Sequence, residues 1–224
     1  MYLRDVMVVP SAVGKEGVFR LRASSDHVLD VLRHHLPKKY VFNDLRRLVL
    51  QLGPGRPAIE PIFTNLDGVG MYQIPEFDLP AYFEATQDEQ NEIILTLVET
   101  AFSTFSRKFG TDPVPLQAAV DAVRACGFHL ETDLKCSRTH PGRALRVHVI
   151  RRFAPGGVFV RVVVRASKGK VLHDEIVAAG MWVVSVGDAY HSSRWNGDTL
   201  EILGISGKQT AEVPCAPFLE RIVT

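Results

Sequence analysis

The side chains with the clearest chemical use are ten basic residues between Lys135 and Lys170, a segment that contains no Asp or Glu. Guanidinium and ammonium groups bind phosphates and carboxylates, so these residues can form a surface for anionic partners. They are Lys135, Arg138, Arg143, Arg146, Arg151, Arg152, Arg161, Arg165, Lys168 and Lys170. The segment is therefore the first candidate for a binding surface.

A second segment carries the opposite charge. From Pro57 to Ser106 there are nine acidic residues and no Lys or Arg, although the whole chain has a net charge of only +1. The acids are Glu60, Asp67, Glu76, Asp78, Glu84, Asp88, Glu89, Glu92 and Glu99. Surfaces of one sign steer and orient charged partners, so this separation predicts a binding role.

No diagnostic catalytic or metal-binding motif accompanies these charges. The patterns HExxH, GxSxG, GxxxxGK[ST] and GxGxxG are absent from the sequence. His27, Asp30 and His34 share one face of a predicted helix, and Cys136 precedes His140 by four residues, but neither group has the spacing of a known metal site. We expect no metal, no cofactor and no catalytic residue, while an enzyme with a dispersed active site stays an alternative.

The composition predicts a folded cytoplasmic protein. Hydrophobic residues make up 46% of the chain and charged residues 23%, as in ordinary globular domains. The three cysteines form no CxxC pair, which favours a reducing compartment. The apolar run from Val6 to Val9 is too short for a signal peptide or a membrane span, so we expect no membrane association.

The N-terminal quarter is predicted to mix strands and helices. Residues 17–23 alternate between apolar and polar side chains, which predicts a strand. Ser24 or Ser25 is expected to cap a helix from Asp26 to Leu36, which Pro37 ends. A further strand is expected from Arg46 to Leu52.

The middle of the chain is predicted to be helical. Thr86 and Glu89 form a capping-box pattern before an amphipathic helix that ends at Gly110. A second helix is expected from Asp112 to Cys126. One stripe of the first helix carries the acidic candidate site, which consists of Asp88, Glu92 and Glu99.

Two alternating runs, 143–153 and 158–165, are predicted to form a β-hairpin around the intervening turn. Pairing Phe153 with Val158 places Arg146 opposite Arg165 and divides the side chains between two faces. The inner face consists of Val147, Val149, Arg151, Val158, Val160, Val162 and Val164. The outer face carries the basic candidate site, which consists of Arg146, His148, Arg152, Phe159, Arg161 and Arg165.

The remaining signals complete the expected fold. A strand is predicted from Val171 to Val177, and Asn196-Gly197 predicts a type I′ hairpin. Central helices followed by C-terminal strands indicate an α+β class, with helices packed on an antiparallel sheet and a smaller N-terminal αβ portion, rather than alternating βαβ units. We expect one domain over residues 1–224, with a subdivision near 53–57 (1–53 and 57–224) as the alternative.

One central stretch resembles segments of small bacterial proteins. Phe77-Asp78-Leu79-Pro80-Ala81-Tyr82-Phe83, the 88–109 helix, Lys108-Phe109-Gly110-Thr111-Asp112 and the 116–128 helix are similar to stretches of immunity proteins encoded beside secreted or contact-dependent toxins. The resemblance covers about 50 residues. It implies a cytoplasmic antidote that binds one cognate toxin domain, and it assigns no role to any residue.

The sequence thus favours a non-enzymatic protein-binding module, first of all an immunity protein that uses its charged surfaces. The alternative for the basic site is nucleic-acid binding, in which arginines hold phosphates and Phe159 stacks on a base. A third interpretation gives the charges no binding role. In that case both sites are ordinary solvated faces, or the acidic and basic segments neutralise each other. The oligomeric state is left undetermined.

Overall fold

The computed structural model of the chain describes residues 2–11, 13–53, 62–64, 67–181 and 183–223. Its contacts divide the chain into two compact units, Met1–His129 and Leu130–Thr224. The α+β class with antiparallel sheets is confirmed. The alternative domain break was predicted at residues 53–57. Of these, residues 54–57 lie outside the described part of the chain.

The first unit combines one mixed sheet with four helices along its described part. In chain order the elements are β1 (Asp5–Pro10), α1 (Lys15–His35), β2 (Arg47–Leu52), β3 (Ile62–Thr64), β4 (Val69–Ile74), α2 (Leu79–Glu84), α3 (Gln87–Phe109) and α4 (Val114–Ala125). The strand order is β1-β2-β4-β3, and β1, β2 and β4 run parallel. The segment β1-α1-β2 is therefore a βαβ unit, a connection that the sequence analysis did not expect.

The strand predicted for residues 17–23 is wrong, because these residues belong to α1. Burial recurs at helical spacing from Leu21 to Leu32, and this pattern outweighs the short local alternation. The buried apolar side chains of α1 are Leu21, Val28, Leu29, Val31 and Leu32. Phe19, which the strand pattern placed on the apolar side, is 62% exposed.

The serine caps predicted for this helix are also wrong. The hydroxyl groups of Ser24 and Ser25 donate to the carbonyl oxygen of Leu21, 3.0 and 2.7 Å away, as serines inside a helix do. The helix begins about three turns earlier, after Gly14. Its end is as predicted, since Leu36 is the C-cap and Pro37 follows.

The central helices follow their predicted signals. Thr86 and Glu89 form both hydrogen bonds of a capping box at the start of α3, and Gly110 ends it with a φ of 68°. Gly70 of β4 allows this helix to approach the sheet, since a Cβ atom there would lie 2.9 Å from Cε1 of Phe105. The same atom would lie 2.6 Å from Cδ1 of Leu45, so a side chain at position 70 would force both neighbours to shift.

The second unit contains two antiparallel sheets. Its elements are β5 (Leu130–Asp133), β6 (Arg138–Thr139), β7 (Leu145–Ala154), β8 (Gly157–Ala166), β9 (Val171–Met181), α5 (Val183–Ala189), β10 (Ser192–Asn196), β11 (Thr199–Leu203), β12 (Gln209–Pro214) and α6 (Ala216–Val223). One sheet has the order β5-β7-β8-β9, with β6 also paired to β7, and the other has the order β10-β11-β12. Within the described ranges, no helix combines the length and apolar character needed to cross a bilayer.

The register predicted for the β7–β8 hairpin is confirmed. Arg146 pairs with Arg165, and Phe153 with Val158. The strands extend one pair further than expected, to Ala154 and Gly157, which leaves a two-residue loop. The predicted inner face is the core of this sheet, and its buried valines are Val147, Val149, Val158, Val160, Val162 and Val164.

The hairpin predicted at Asn196-Gly197 is present, but its turn lies one residue further along the chain and is of a different type. Asn196 pairs with Thr199, so the loop consists of Gly197 and Asp198. The φ angle is positive at Gly197, 56°, and is not positive at Asp198. Positive φ at the first central residue alone is the pattern of a type II′ turn, which favours glycine at that place.

His27 makes the stability of the first unit depend on pH. It is 1% exposed, and no group in the described part of the chain meets the geometry of a hydrogen bond to either ring nitrogen. Burial, which outweighs the opposing influence of the Asn91 amide, lowers the pKa of His27 from 6.5 to about 4. Between these two values the unfolded chain binds the proton more readily than the folded one, so stability is lost as the pH falls from 6.5 towards 4.

We predict that His27→Leu removes this part of the pH dependence. From pH 7 to pH 4 the free energy of unfolding of the wild type should fall by about 3 kcal/mol more than that of the variant. Urea titrations followed by the helical circular-dichroism signal measure the difference. His34→Gln, at an exposed histidine of the same helix, should behave as the wild type, and equal pH profiles for His27→Leu and wild type would contradict the prediction.

Candidate charged binding surfaces

The centre of the basic face is neutralised by acids from the neighbouring strands. The guanidinium of Arg161 lies between Asp174 of β9, with Nε 2.6 Å from Oδ1, and Glu131 of β5, with Nη1 3.2 Å from Oε1. A hydrogen bond from Arg161 lowers the pKa of Asp174, and the same bond raises the pKa of Arg161. Arg161 therefore acts as a bridge across the sheet.

Two further members of the basic site also have acidic neighbours. Arg152 lies opposite Glu131, with its Nε 3.9 Å from the carboxylate. Nδ1 of His148 lies 3.1 Å from Asp133 on the same edge strand. Phe159 is half-buried opposite Arg152, so the aromatic member of the site stands in the part of the face where acids are present.

The other end of the hairpin keeps its positive charge. Arg146 and Arg165 are exposed, lie directly opposite each other, and contact only neutral oxygens among the described residues. Nη1 of Arg146 lies 3.3 Å from Oγ1 of Thr139, and Nη1 of Arg165 lies 3.4 Å from the Gly169 carbonyl oxygen. Like charges directly across a β-ladder repel each other, and the longer-range attraction between Arg165 and Asp174 offsets this repulsion only in part, since the two form no described ion pair.

Turns at the same end of the sheet add further positive charge. The amide of Ser167 donates to the carbonyl of Ala144 at 2.9 Å, which joins the turn before β7 to the turn after β8. Exposed basic side chains stand on both turns. We call the resulting group the arginine end, and it consists of Arg143, Arg146, Arg165, Lys168 and Lys170.

Two of the three residues of the acidic candidate site form ion pairs with an arginine of the neighbouring helix. Nη2 of Arg124, on α4, lies 2.7 Å from Glu92 and 2.8 Å from Glu99, both on α3. A hydrogen bond from Arg124 lowers the pKa of Glu99. The two glutamates thus join α3 to α4, whereas Asp88 is exposed. The ion pairs described for the acidic site join residues of the first unit, and those described for the basic site join residues of the second unit.

The candidate metal and thiol groups do not form a site in the described part of the chain. No cluster of three or more His, Cys, Asp or Glu side chains there could hold a metal ion. His27 is buried while His34, on the same helix, is exposed. Cys136 is buried, and burial raises the pKa of its thiol to about 11, which keeps it protonated near neutral pH.

The acids that compensate the basic face were not among the site residues predicted from the sequence. Glu131, Asp133 and Asp174 flank the basic segment in sequence, and the alternation of Glu131 with Asp133 was an available sign of an edge strand. Arg124 was also missed, although it lies on the predicted second helix. The sequence does not show the order of the strands in the sheet, and this order decides which acids lie close to which arginines.

The chain matches no protein-family model, and no curated protein and no solved structure is significantly similar to it. The likeness to immunity proteins therefore stays a prediction.

We predict that Arg124→Met loosens the contact between α3 and α4. The free energy of unfolding should fall by about 1 kcal/mol, because two partly exposed carboxylates lose their partner. Urea titrations at low and at high salt measure the change, which should shrink in salt. Arg107→Met, at an exposed position of α3, is the matched control, and equal losses in the two variants would refute a specific role for Arg124.

Proposed function

We propose that this chain is a non-enzymatic protein-binding module, which docks an acidic surface of a partner protein on the arginine end. The observation that carries the proposal is the exposed, directly opposed pair Arg146 and Arg165. The other arginines of the outer face have carboxylate neighbours in the sheet, so they have less to gain from an external anion.

Carboxylates of a partner match the chemistry of this surface. Each exposed guanidinium offers a planar pair of N–H donors, which an Asp or Glu side chain can accept in bidentate geometry. A partner that supplies two acids would also relieve the repulsion between Arg146 and Arg165. The flanking Lys168 and Lys170 raise the rate of encounter by long-range attraction.

The biological setting that we propose is that of a bacterial immunity protein in the cytoplasm, which neutralises a cognate toxin domain. Its support is the resemblance of residues 77–128 to such proteins, together with the reducing compartment that the cysteines favour. Exposed charge on a β-sheet scaffold gives specificity and fast association, which an antidote requires.

Nucleic acid is a less suitable ligand for this face. Phe159 and Arg165 are six residues apart on β8, or about 20 Å along the strand. The aromatic ring therefore stands far from the arginine end, next to arginines that acids already contact. A base stacked on Phe159 would place its own phosphate among those acids.

The test is co-expression with the product of the adjacent gene. We expect the wild type to suppress its toxicity and to co-purify with it, and Arg146→Ser/Arg165→Ser to lose at least tenfold in affinity, or about 1.4 kcal/mol. Lys38→Ser/Lys208→Ser removes the same charge from exposed positions outside the site and should bind as the wild type.

Two results would overturn the proposal. One is an adjacent product that neither binds nor harms the cell, and the other is equal behaviour of the two double variants. Fluorescence anisotropy with a labelled single-stranded RNA tests the nucleic-acid alternative. Tight binding that falls steeply with salt and depends on Arg146 and Arg165 would decide in favour of that alternative.

A further inference from the structure

The first unit has a half-open cavity of about 390 Å³ at one edge of its sheet. Residues at the carboxyl ends of three neighbouring parallel strands form part of its wall. Ser11 follows β1, Leu52 ends β2, and Phe77 lies three residues after β4. In open α/β sheets, ligands bind in the crevice at the carboxyl ends of parallel strands. The location and the volume are those of a small-molecule site.

The residues that line the cavity favour a ligand with an apolar part. Phe77, Leu79 and Phe83 face the cavity from the segment that leads into α2 and from α2 itself. Among the described residues of the wall, the polar side chain is that of Ser11, whose hydroxyl donates to the carbonyl of Leu52 at 2.8 Å. Since this hydroxyl is engaged, the described wall favours a ring or short hydrocarbon over a sugar or a nucleotide.

A cation contacts Phe83, one of the residues that line the cavity. The guanidinium carbon of Arg20, on α1, lies 4.4 Å from the ring centre of Phe83. Nη2 of Arg20 donates to the Phe83 carbonyl oxygen at 3.1 Å, and this contact fixes the guanidinium against the ring that lines the cavity. Arg20 is exposed, and a guanidinium has five N–H donors, so donors are left for an anion.

We infer that the cavity binds a small organic acid, whose ring packs against Phe77 and Phe83 while its carboxylate pairs with Arg20. Burial of the ring provides most of the affinity, because the lining is apolar. The Arg20 contact at the rim adds a smaller part and gives preference for an acid over a neutral molecule of the same shape. This site is independent of the partner surface proposed for the second unit.

The probes are 4-phenylbutyrate and its neutral counterpart 4-phenyl-1-butanol, titrated calorimetrically into the full chain. Saturable binding of one molecule of each is expected, with the acid bound about fivefold more tightly. Arg20→Gln should abolish the preference and leave the affinity for the alcohol unchanged. Arg4→Gln, an exposed arginine at the amino edge of the same sheet, is the matched control and should keep the preference.

A second variant tests the cavity itself. Leu79→Trp places an indole in the cavity and should eliminate binding of both probes, with the melting temperature checked to confirm that the variant folds. The inference is overturned if wild type fails to bind the acid saturably at millimolar concentrations, or if Arg20→Gln and Arg4→Gln have the same effect. These outcomes leave the proposed protein-binding function untouched, because that function is tested through Arg146 and Arg165.

Discussion

The register of the β7–β8 hairpin is the constraint on which the surface of the second unit depends. Side chains alternate between the two faces of a strand, so a shift of one residue would bury the arginines and expose the valines. Six buried valines on one face make such a shift costly, since each would have to return to water. Arg146, Arg161 and Arg165 are thereby held on the outer face.

Charge compensation then divides this face into two parts. Acids on the flanking strands β5 and β9 form ion pairs with Arg161 and its neighbours, whereas Arg146 and Arg165 form no described ion pair and Asp174 attracts Arg165 only at longer range. Arg124 between Glu92 and Glu99 shows the same principle in the first unit, where a charge that looks available in sequence joins two helices. A candidate binding residue is therefore best judged by the charges that the fold brings beside it.

Local signals predicted the elements that local physics controls. The capping box of Thr86 and Glu89 and the alternation along β7 and β8 act between neighbours in sequence, and both were interpreted correctly. The error at residues 17–23 arose because a short alternating stretch lies inside a long helix, where the burial of residues from Leu21 to Leu32 decides the structure. The turn predicted at Asn196-Gly197 was one residue off and mistyped, because Gly197 takes the first central position of a different hairpin turn and not the second.

The sequence by itself determined the α+β class, the basic hairpin with its two faces, and the separation of charge along the chain. Only the tertiary structure decided which charges remain exposed to a partner, because ion pairs such as Arg161–Asp174 and Arg124–Glu92 join residues on different elements. The cavity beside Arg20 also required the fold, since its wall comes from the ends of three strands far apart in sequence. Contacts of this kind depend on strand order and helix packing, which no local pattern encodes.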